Sequence, residues 1–268
     1  MADNLYKNIN FWDPKIYIER AQPQLQAALA ILKRYTFKGN ENILDIGCGP
    51  GNITAMIAKK VPKGNVHGID YSKNMIDFAN LAYEAEPNLS FELQDVNHLS
   101  LNKKYDLITS FNTFQWIVDP LDVLPKILSC LTNSGCLLVS LMRPSSPKEL
   151  ANIAVVDIMN EPQWKPYFAD FAPPDFLFDV NIEDYKEVLV YVGFKLEFFE
   201  ETCFEYPFSS KVALAQWFES WMAHRHAIPE DKRNAFFMEI VSRYLQSTGQ
   251  SDNKITLRYM TWNFMAKK

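Results

Sequence analysis

Residues Asn42 to Ile46 form a short apolar run that ends on a cluster of glycines, Asp45-Ile-Gly47-Cys-Gly49-Pro-Gly51. An apolar run of this length reads as a buried strand. Glycines directly after a strand let the backbone turn sharply and lie closer to a ligand than a Cβ would permit. A helix is predicted to follow from about Asn52 to Lys60, so its unpaired N-terminal amides would face the same ligand. Strand, glycine loop and helix together ask for a sheet whose strand ends bind something small. The nicotinamide fingerprint would place its third glycine at position 52. Here that residue is Asn52, and the glycine falls one position early, at Gly51.

The following segments alternate in the same way. Asn65 to Ile69 reads as a second strand ending at Asp70, and Ser72 caps a helix carrying Met75, Ile76 and Ala79 on one face. Leu89 to Leu93 and Tyr105 to Phe111 read as the third and fourth strands. Asp119-Pro120 joins an N-cap to a proline in the first turn and opens a helix to about Leu131. After Gly135, Cys136 to Met142 makes a fifth strand. Strands alternating with helices at this spacing imply a parallel sheet covered on both faces, with right-handed crossovers. Upstream, Asp13-Pro14 repeats the cap-and-proline signal and predicts a helix running towards Tyr35.

Downstream, Ser146-Pro147 with Glu149 predicts a helix start. Pro162 to Phe178, rich in proline and aromatics, reads as a loop or lid. A helix around Glu183 to Tyr191 and a strand from Lys195 to Glu200 return to the sheet. Tyr206 to His226 and Pro229 to Gln246 read as helices, and Ile255 to Met265 as a final strand of open direction.

Composition excludes several classes. The net charge of −5 comes without any long run of Lys and Arg, which argues against nucleic acid as a partner. Met1 to Asn10 lacks the apolar core of a signal peptide. Apolar runs such as Cys136 to Val139 are far too short to span a bilayer, so no membrane role is expected. Cys48, Cys130, Cys136 and Cys203 form no C-x-x-C pair. Reduced, buried thiols and a cytoplasmic location are the expectation. His224 and His226 have no nearby carboxylate or cysteine to complete a metal-ligand set; they read as a solvated pair at a helix end, and no metal is expected.

Asp70, roughly 20 residues beyond the glycine loop, can accept both hydroxyls of a ribose; its plainer reading is a cap for the next helix. With both elements in place, Asp45 to Gly51 together with Gly68-Ile-Asp70-Tyr-Ser72 and Met75 resembles the class I S-adenosylmethionine-dependent methyltransferases. The resemblance implies a Rossmann-like three-layer α/β sandwich with a mostly parallel seven-stranded sheet, plus a helical cap, in a single domain. A cofactor half would run to about residue 142, substrate and cap elements over 143–254, and a final strand over 255–265. It further implies that Asp45, Gly47, Cys48, Gly49 and Asn52 wrap the amino acid end of S-adenosylmethionine and later hold S-adenosylhomocysteine. Asp70, Tyr71 and Met75 would flank the ribose. Asp95 and Val96 would meet the adenine edge, although Asp95 also suits a plain turn. Phe111 and Asn112 would complete the cofactor contacts.

A narrower resemblance rests on Trp12-Asp-Pro14-x-x-Tyr17, Ser110-Phe-Asn-Thr-Phe-Gln115-Trp116 and Asp119-Pro120, and on Tyr206-Pro-Phe-Ser followed by Ile228-Pro-Glu. These segments are similar to the trans-aconitate, juvenile hormone acid and malonyl-carrier-protein methyltransferase group; the match loosens from Arg143 to Cys203. The group esterifies carboxylates. A carboxylate with a pKa of about 4 is already ionised at neutral pH, so no dedicated acid or base is needed, and rate comes from in-line positioning in a dry site.

Trp116, Gln115 and Tyr17 are the positioning candidates. Trp116 would donate its indole N–H to the acceptor or wall its path, with core packing as the alternative. Tyr17 would close over the cofactor or anchor the surface. Arg143 is the first candidate to pair with an anionic acceptor, with Arg225 and Arg258 behind it. Trp217, Phe218 and Trp221 recur at helical spacing and suit core or pocket wall. Trp164, Tyr167, Phe168 and Phe171 suit a lid or ordinary packing. The expected partner is a small or carrier-bound acid, met by a monomer. Methylation of an amine, phenol or carbon acceptor, or a non-catalytic cofactor-binding regulator, are the alternatives. Ser110-Phe-Asn-Thr stands where amide and adenine methyltransferases carry Asn/Asp-Pro-Pro-aromatic, which disfavours those acceptors.

Overall fold

The structure, a computed structural model, describes residues 12–99, 103–117, 119–143, 150–171, 181–251 and 254–268. It opens with α1 (Pro14–Arg20) and α2 (Gln22–Leu32). The single helix expected towards Tyr35 is therefore two. Pro23 sits in the first turn of α2, where its missing N–H and its ring favour a new start over continuation. Asp13 caps α1 by accepting from the amides of Lys15 and Ile16 at 2.9 and 3.1 Å.

β1 (Asn42–Ile46), α3 (Asn52–Ala58), β2 (Asn65–Asp70), α4 (Lys73–Ala82), β3 (Leu89–Leu93), β4 (Tyr105–Phe111), α5 (Pro120–Cys130) and β5 (Leu131–Met142) then alternate. β5 begins before Gly135, but Cys136 onward is the part that pairs continuously with β4. The chain continues through α6 (Leu150–Met159), α7 (Ile182–Val192), β6 (Lys195–Phe208), α8 (Lys211–Trp221), α9 (Glu230–Thr248) and β7 (Ile255–Lys267). The helix start expected at Ser146 lies outside the described residues.

The sheet has seven strands in the order β3-β2-β1-β4-β5-β7-β6. β1 to β5 pair in parallel, and β7 runs antiparallel between β5 and β6. The order leaves β1 in both directions, towards β2 and towards β4. Ligands of open α/β sheets collect at such a switch point, beyond the carboxyl ends of the strands.

In the C-terminal half, the helix expected over Tyr206 to His226 is shorter at both ends, Lys211–Trp221. Tyr206 lies in β6 rather than a helix, because β6 stays paired with β7 as far as Phe208 opposite Ile255. Pro207 cannot donate to a ladder, and it is tolerated because β6 is an edge strand. α8 starts only at Lys211, where Ser210 accepts from the amide of Ala213.

Two apolar clusters pack the sheet, one including residues of α5 and α7 and the other residues of α2 and α3. A third unites α6, α8 and α9 over the far ends of β6 and β7 as a helical cap. All four cysteines are free; Cys48, Cys130 and Cys136 are buried as expected, whereas Cys203 is exposed on the edge strand. No helix of the described residues is long and apolar enough to cross a membrane.

Phe264 on β7 joins the cap-side strands to the parallel sheet. It is fully buried, stacks on Phe199 at 5.1 Å and meets Phe114 edge-on at 6.5 Å. Phe264→Ala is expected to cost about 3–5 kcal/mol of unfolding free energy through the cavity it leaves. Chemical denaturation measures this, and a loss within about 1 kcal/mol would show that the site collapses freely.

Candidate active site

The glycine loop is pinned before it reaches the cleft. The amides of Gly47 and Cys48 both donate to the carbonyl of Ile69, at 2.8 and 3.0 Å, so the chain leaving β1 is fastened to the end of β2. Gly47 has φ +70°, and a Cβ there would strike the side chain of Thr113. Gly49 has φ +54° with open space beside it, on the side of the cleft. The sheet side of that cleft is lined by Asp45, Gly47, Cys48, Gly49, Phe111 and Asn112, with Asn52 from α3. Its opposite wall comes from Tyr17, Ile18, Ala21 and Gln24.

Two carboxylates stand at this loop. Asp45 is 2% exposed and accepts hydroxyl hydrogen bonds from Thr54 and Thr109, each 2.7 Å. Asp70 accepts from the amides of Gly49 at 2.9 Å and Ser72 at 2.8 Å. The two amides approach different oxygens, and each carboxylate oxygen can accept a further bond.

Asn112, at the end of β4, holds φ 55°, the one positive value outside glycine among the described residues. Asparagine tolerates this region better than most residues. Its side-chain amide donates to the Gln24 carbonyl, and Gln115 donates to the Asn112 carbonyl at 2.9 Å. Gln115 thus braces the strained turn beside the cleft.

Trp12 stands in the sequence as one member of a motif, and the structure gives it a central place. Its indole donates to the Tyr71 hydroxyl at 3.0 Å. Its ring meets Tyr17 edge-on at 5.7 Å and Trp116 at 6.0 Å. Asn74 donates to its carbonyl. The signal was present in the sequence: an apolar residue directly before the Asp13 cap, five residues ahead of Tyr17 at the fourth helical position, makes a hydrophobic staple.

The other predicted residues spread out. Met75 is buried on α4, its amide donating to the Ser72 hydroxyl. Asp95 caps the short turn Val96–His98, beyond the end of β3. Arg143 pairs with Glu201 at 3.2 Å, and its amide donates to the Met260 carbonyl. Arg258 pairs with Glu205. Trp164 is buried in the cap, donating to Glu239 at 2.8 Å and packing on Phe236. The described part of the expected lid, as far as Phe171, packs on α9 in the same cluster; residues 172–180 lie outside the described residues. His224 is no solvated helix-end residue: it sits between Phe171 and Phe236, and burial pushes its pKa down to about 4. Trp221 and Arg225 stand at the end of α8 and on the turn after it.

Residues 37–171 match the family model of a methyltransferase domain. The chain belongs to the class I S-adenosylmethionine-dependent methyltransferases. Trans-aconitate 2-methyltransferase of Enterobacter sp. (strain 638) is 28% identical over 206 residues, 77% of each chain. Two solved structures share the fold: phosphoethanolamine N-methyltransferase 2 of Haemonchus contortus in complex with S-adenosylmethionine, and the YcgJ protein of Bacillus subtilis. The first has a TM-score of 0.58 at 19% identity, over 91% of this chain and 52% of that one. The second has 0.61 at 14%, over 91% and 98%.

The cleft of this methyltransferase suits its cofactor electrostatically. Burial raises the pKa of Asp45 to about 6, opposed by the two threonine hydroxyls and increased further by Asp70. Burial raises Asp70 to about 6 as well, against the pull of the Ser72 and Gly49 amides. No cation contributes to either. An acid-lined, partly desolvated cleft is complementary to a ligand that carries an ammonium and a sulfonium. Among the described residues no group of His, Cys, Asp or Glu could hold a metal ion.

Folded pKa values near 6, above the ordinary 3.8, mean that the empty protein binds more protons than the unfolded chain between those values. Its stability therefore falls as pH rises through that window, and a bound cation offsets the loss. The rise in Tm on adding S-adenosylmethionine is expected to be larger at pH about 7.5 than at pH about 5, turning near 6. A shift of equal size at both pH values, measured by differential scanning fluorimetry, would count against this pair.

Proposed function

We propose that this methyltransferase O-methylates the carboxylate of a small or carrier-bound acid. The observation that carries the reading is that, among the described residues, no usable proton acceptor stands on the acceptor side of the cleft. Among the described residues no histidine lines it. Burial raises the Cys48 thiol well above its ordinary value and pushes the Tyr17 hydroxyl up as well. The two remaining acids, Asp45 and Asp70, belong to the cofactor side. An ammonium or phenol acceptor must lose a proton to become a nucleophile, whereas a carboxylate is already ionised at neutral pH. The name of the Enterobacter relative points the same way.

S-adenosylmethionine, when bound, supplies an electrophilic methyl group. Gly47, Cys48, Gly49 and Asn52 would hold its amino acid end, with Asp45 behind them. Asp70 would use its remaining lone pairs for the ribose, flanked by Tyr71 and Met75. Asp95 and Val96 would stand at the adenine edge, and Phe111 and Asn112 at the floor. Tyr17 and Trp12 close the cleft from above and exclude water. Trp116 would orient the acceptor oxygen by its indole N–H, and Gln115 would keep the turn beneath it rigid.

The second reading is nitrogen methylation, favoured only by the fold shared with the Haemonchus enzyme. The product separates the two. With a labelled methyl group and a panel of carboxylic acids, an ester releases label as methanol in mild base and an N-methyl product does not. Base-stable label, or no transfer to any acid, would overturn the carboxylate reading.

Two substitutions test the assignments. Asp70→Ala should weaken cofactor binding by about 1.5–3 kcal/mol for each charge-assisted hydrogen bond removed, read by calorimetry; near-normal affinity would sink the ribose role. Trp116→Phe should leave cofactor affinity intact while kcat falls about tenfold, roughly 1.4 kcal/mol of transition-state stabilisation. Unchanged kcat would reduce Trp116 to packing.

A further inference from the structure

The cap holds a concentration of unused hydrogen-bond donors. Arg20 Nε, Trp221 Nε1 and Arg225 Nε are buried atoms without a hydrogen-bond partner among the described residues. Buried polar atoms are almost always partnered, so a cluster of exceptions marks a place where something else supplies the partner. The three sit on elements that adjoin: Arg20 joins α1 to α8 through Glu219, and Arg225 feels the charge of both. Arg20 closes α1, Trp221 closes α8, and Arg225 lies on the turn Ala223–His226 directly after it.

Each donor is held in place by its other contacts. Arg20 Nη1 donates to the Gln216 carbonyl at 3.4 Å and pairs with Glu219 at 3.6 Å, both on α8. Trp221 meets Trp217 edge-on at 5.5 Å, and Trp217 donates to Gln24, a residue of the cleft wall. The backbone of the turn is fixed by Arg233, whose Nε donates to the carbonyls of Arg225 and Ile228 at 2.8 and 3.2 Å.

The nearby acids are already engaged. Asp13 caps α1, and Glu219 is paired with Arg20. Arg225 feels both of these charges as well as the positive charges of Arg20 and Arg233. What remains at the junction is these three N–H donors, two of them on guanidinium groups, beside the ring nitrogen Nδ1 of His224 on the same turn, which also lacks a partner among the described residues. An apolar tail would leave them unmet and a cationic one would be repelled, whereas a carboxylate or phosphate satisfies them with charge-assisted bonds, stronger than a neutral oxygen makes. Tyr17 lines the cleft, and Arg20 lies three residues further along the same helix, a rise of about 4.5 Å.

We propose that the α1–α8 junction is an anion subsite of the acceptor pocket, where Arg225, Arg20 and Trp221 take a carboxylate or phosphate of the acceptor other than the group that is methylated. Its place in catalysis rests on the carboxylate reading above; the binding of an anion there does not. The preferred acceptor is then an acid with a second anionic group a short distance from the first.

The test is calorimetric titration of the protein saturated with S-adenosylhomocysteine. Glutarate and inorganic phosphate are the probes, and pentanoate is the single-charge control of matched length. At least one dianion is expected to bind, and pentanoate to bind about tenfold more weakly than glutarate or not at all. Glutarate alone would identify a carboxylate subsite and phosphate alone a phosphate subsite. Arg225→Gln should weaken the bound dianion about tenfold, and Trp221→Phe, which keeps a ring and removes the N–H, about three- to tenfold. Affinity for S-adenosylhomocysteine should be unchanged in both, which shows the fold intact; if Arg225→Gln fails to fold, Trp221→Phe decides. No dianion binding to the wild type, or equal binding by wild type and the folded variants, overturns the subsite. Anion binding without methyl ester formation from any acid would instead defeat the carboxylate reading and leave the subsite standing.

Discussion

Asp45 is a carboxylate buried in the sheet, and the elements around it are arranged to make that tolerable. Burying a charge costs several kcal/mol unless it is hydrogen-bonded or paired. The two partners it has are hydroxyls, from Thr54 on α3 and Thr109 on β4. One side chain of β1 therefore fastens the helix after the glycine loop to the strand on the other side of the switch point. The loop between is tied to β2 by the Ile69 carbonyl and by Asp70. The site is preorganised by these few bonds, and the charge they leave unneutralised is what a cationic cofactor can complete. Stability sacrificed in the empty protein reappears as affinity for the ligand.

That part of the molecule could be read from the sequence because its determinants are local. Glycines mark where a Cβ cannot stand, as at Gly47 against Thr113. Strands β1 to β4 declared themselves through short apolar runs bounded by turn residues, and Asp119-Pro120 announced its helix through cap chemistry. The second half was harder because its determinants are not local. β6 carries alternating exposure along an edge, and its length is set by pairing with β7, which no property of Tyr206 or Pro207 reveals. Gln24 and Ile18 line the cleft only because α1 and α2 fold back over the ends of the strands.

The arginines show the same division. Arg143 follows a sheet strand and looked the best placed to meet an anion, yet its partner is Glu201 on β6, supplied by a strand distant in sequence. The indole of Trp262 donates to the same carboxylate. Trp164 sits in an aromatic segment that reads as a lid, but its N–H is aimed at Glu239 on α9. Charge and aromaticity were visible in both cases. What the side chain touches depends on tertiary placement.

Trp12 links the two halves of the problem. Through Tyr71 it reaches the residue after Asp70, and through Trp116 it reaches the turn after β4. Its neighbour Asp13 fixes the start of α1, the helix that carries both Tyr17 and Arg20. Any movement of α1 that opens the cleft must therefore break the Trp12–Tyr71 hydrogen bond and disturb the wall at Trp116. It must also shift Arg20 relative to α8. Access to the cofactor cleft and the surroundings of Trp116 are mechanically joined in one short helix. A chemistry that depends on alignment rather than on a proton-transfer residue gains from such coupling, because the in-line geometry is complete only when both sides are closed.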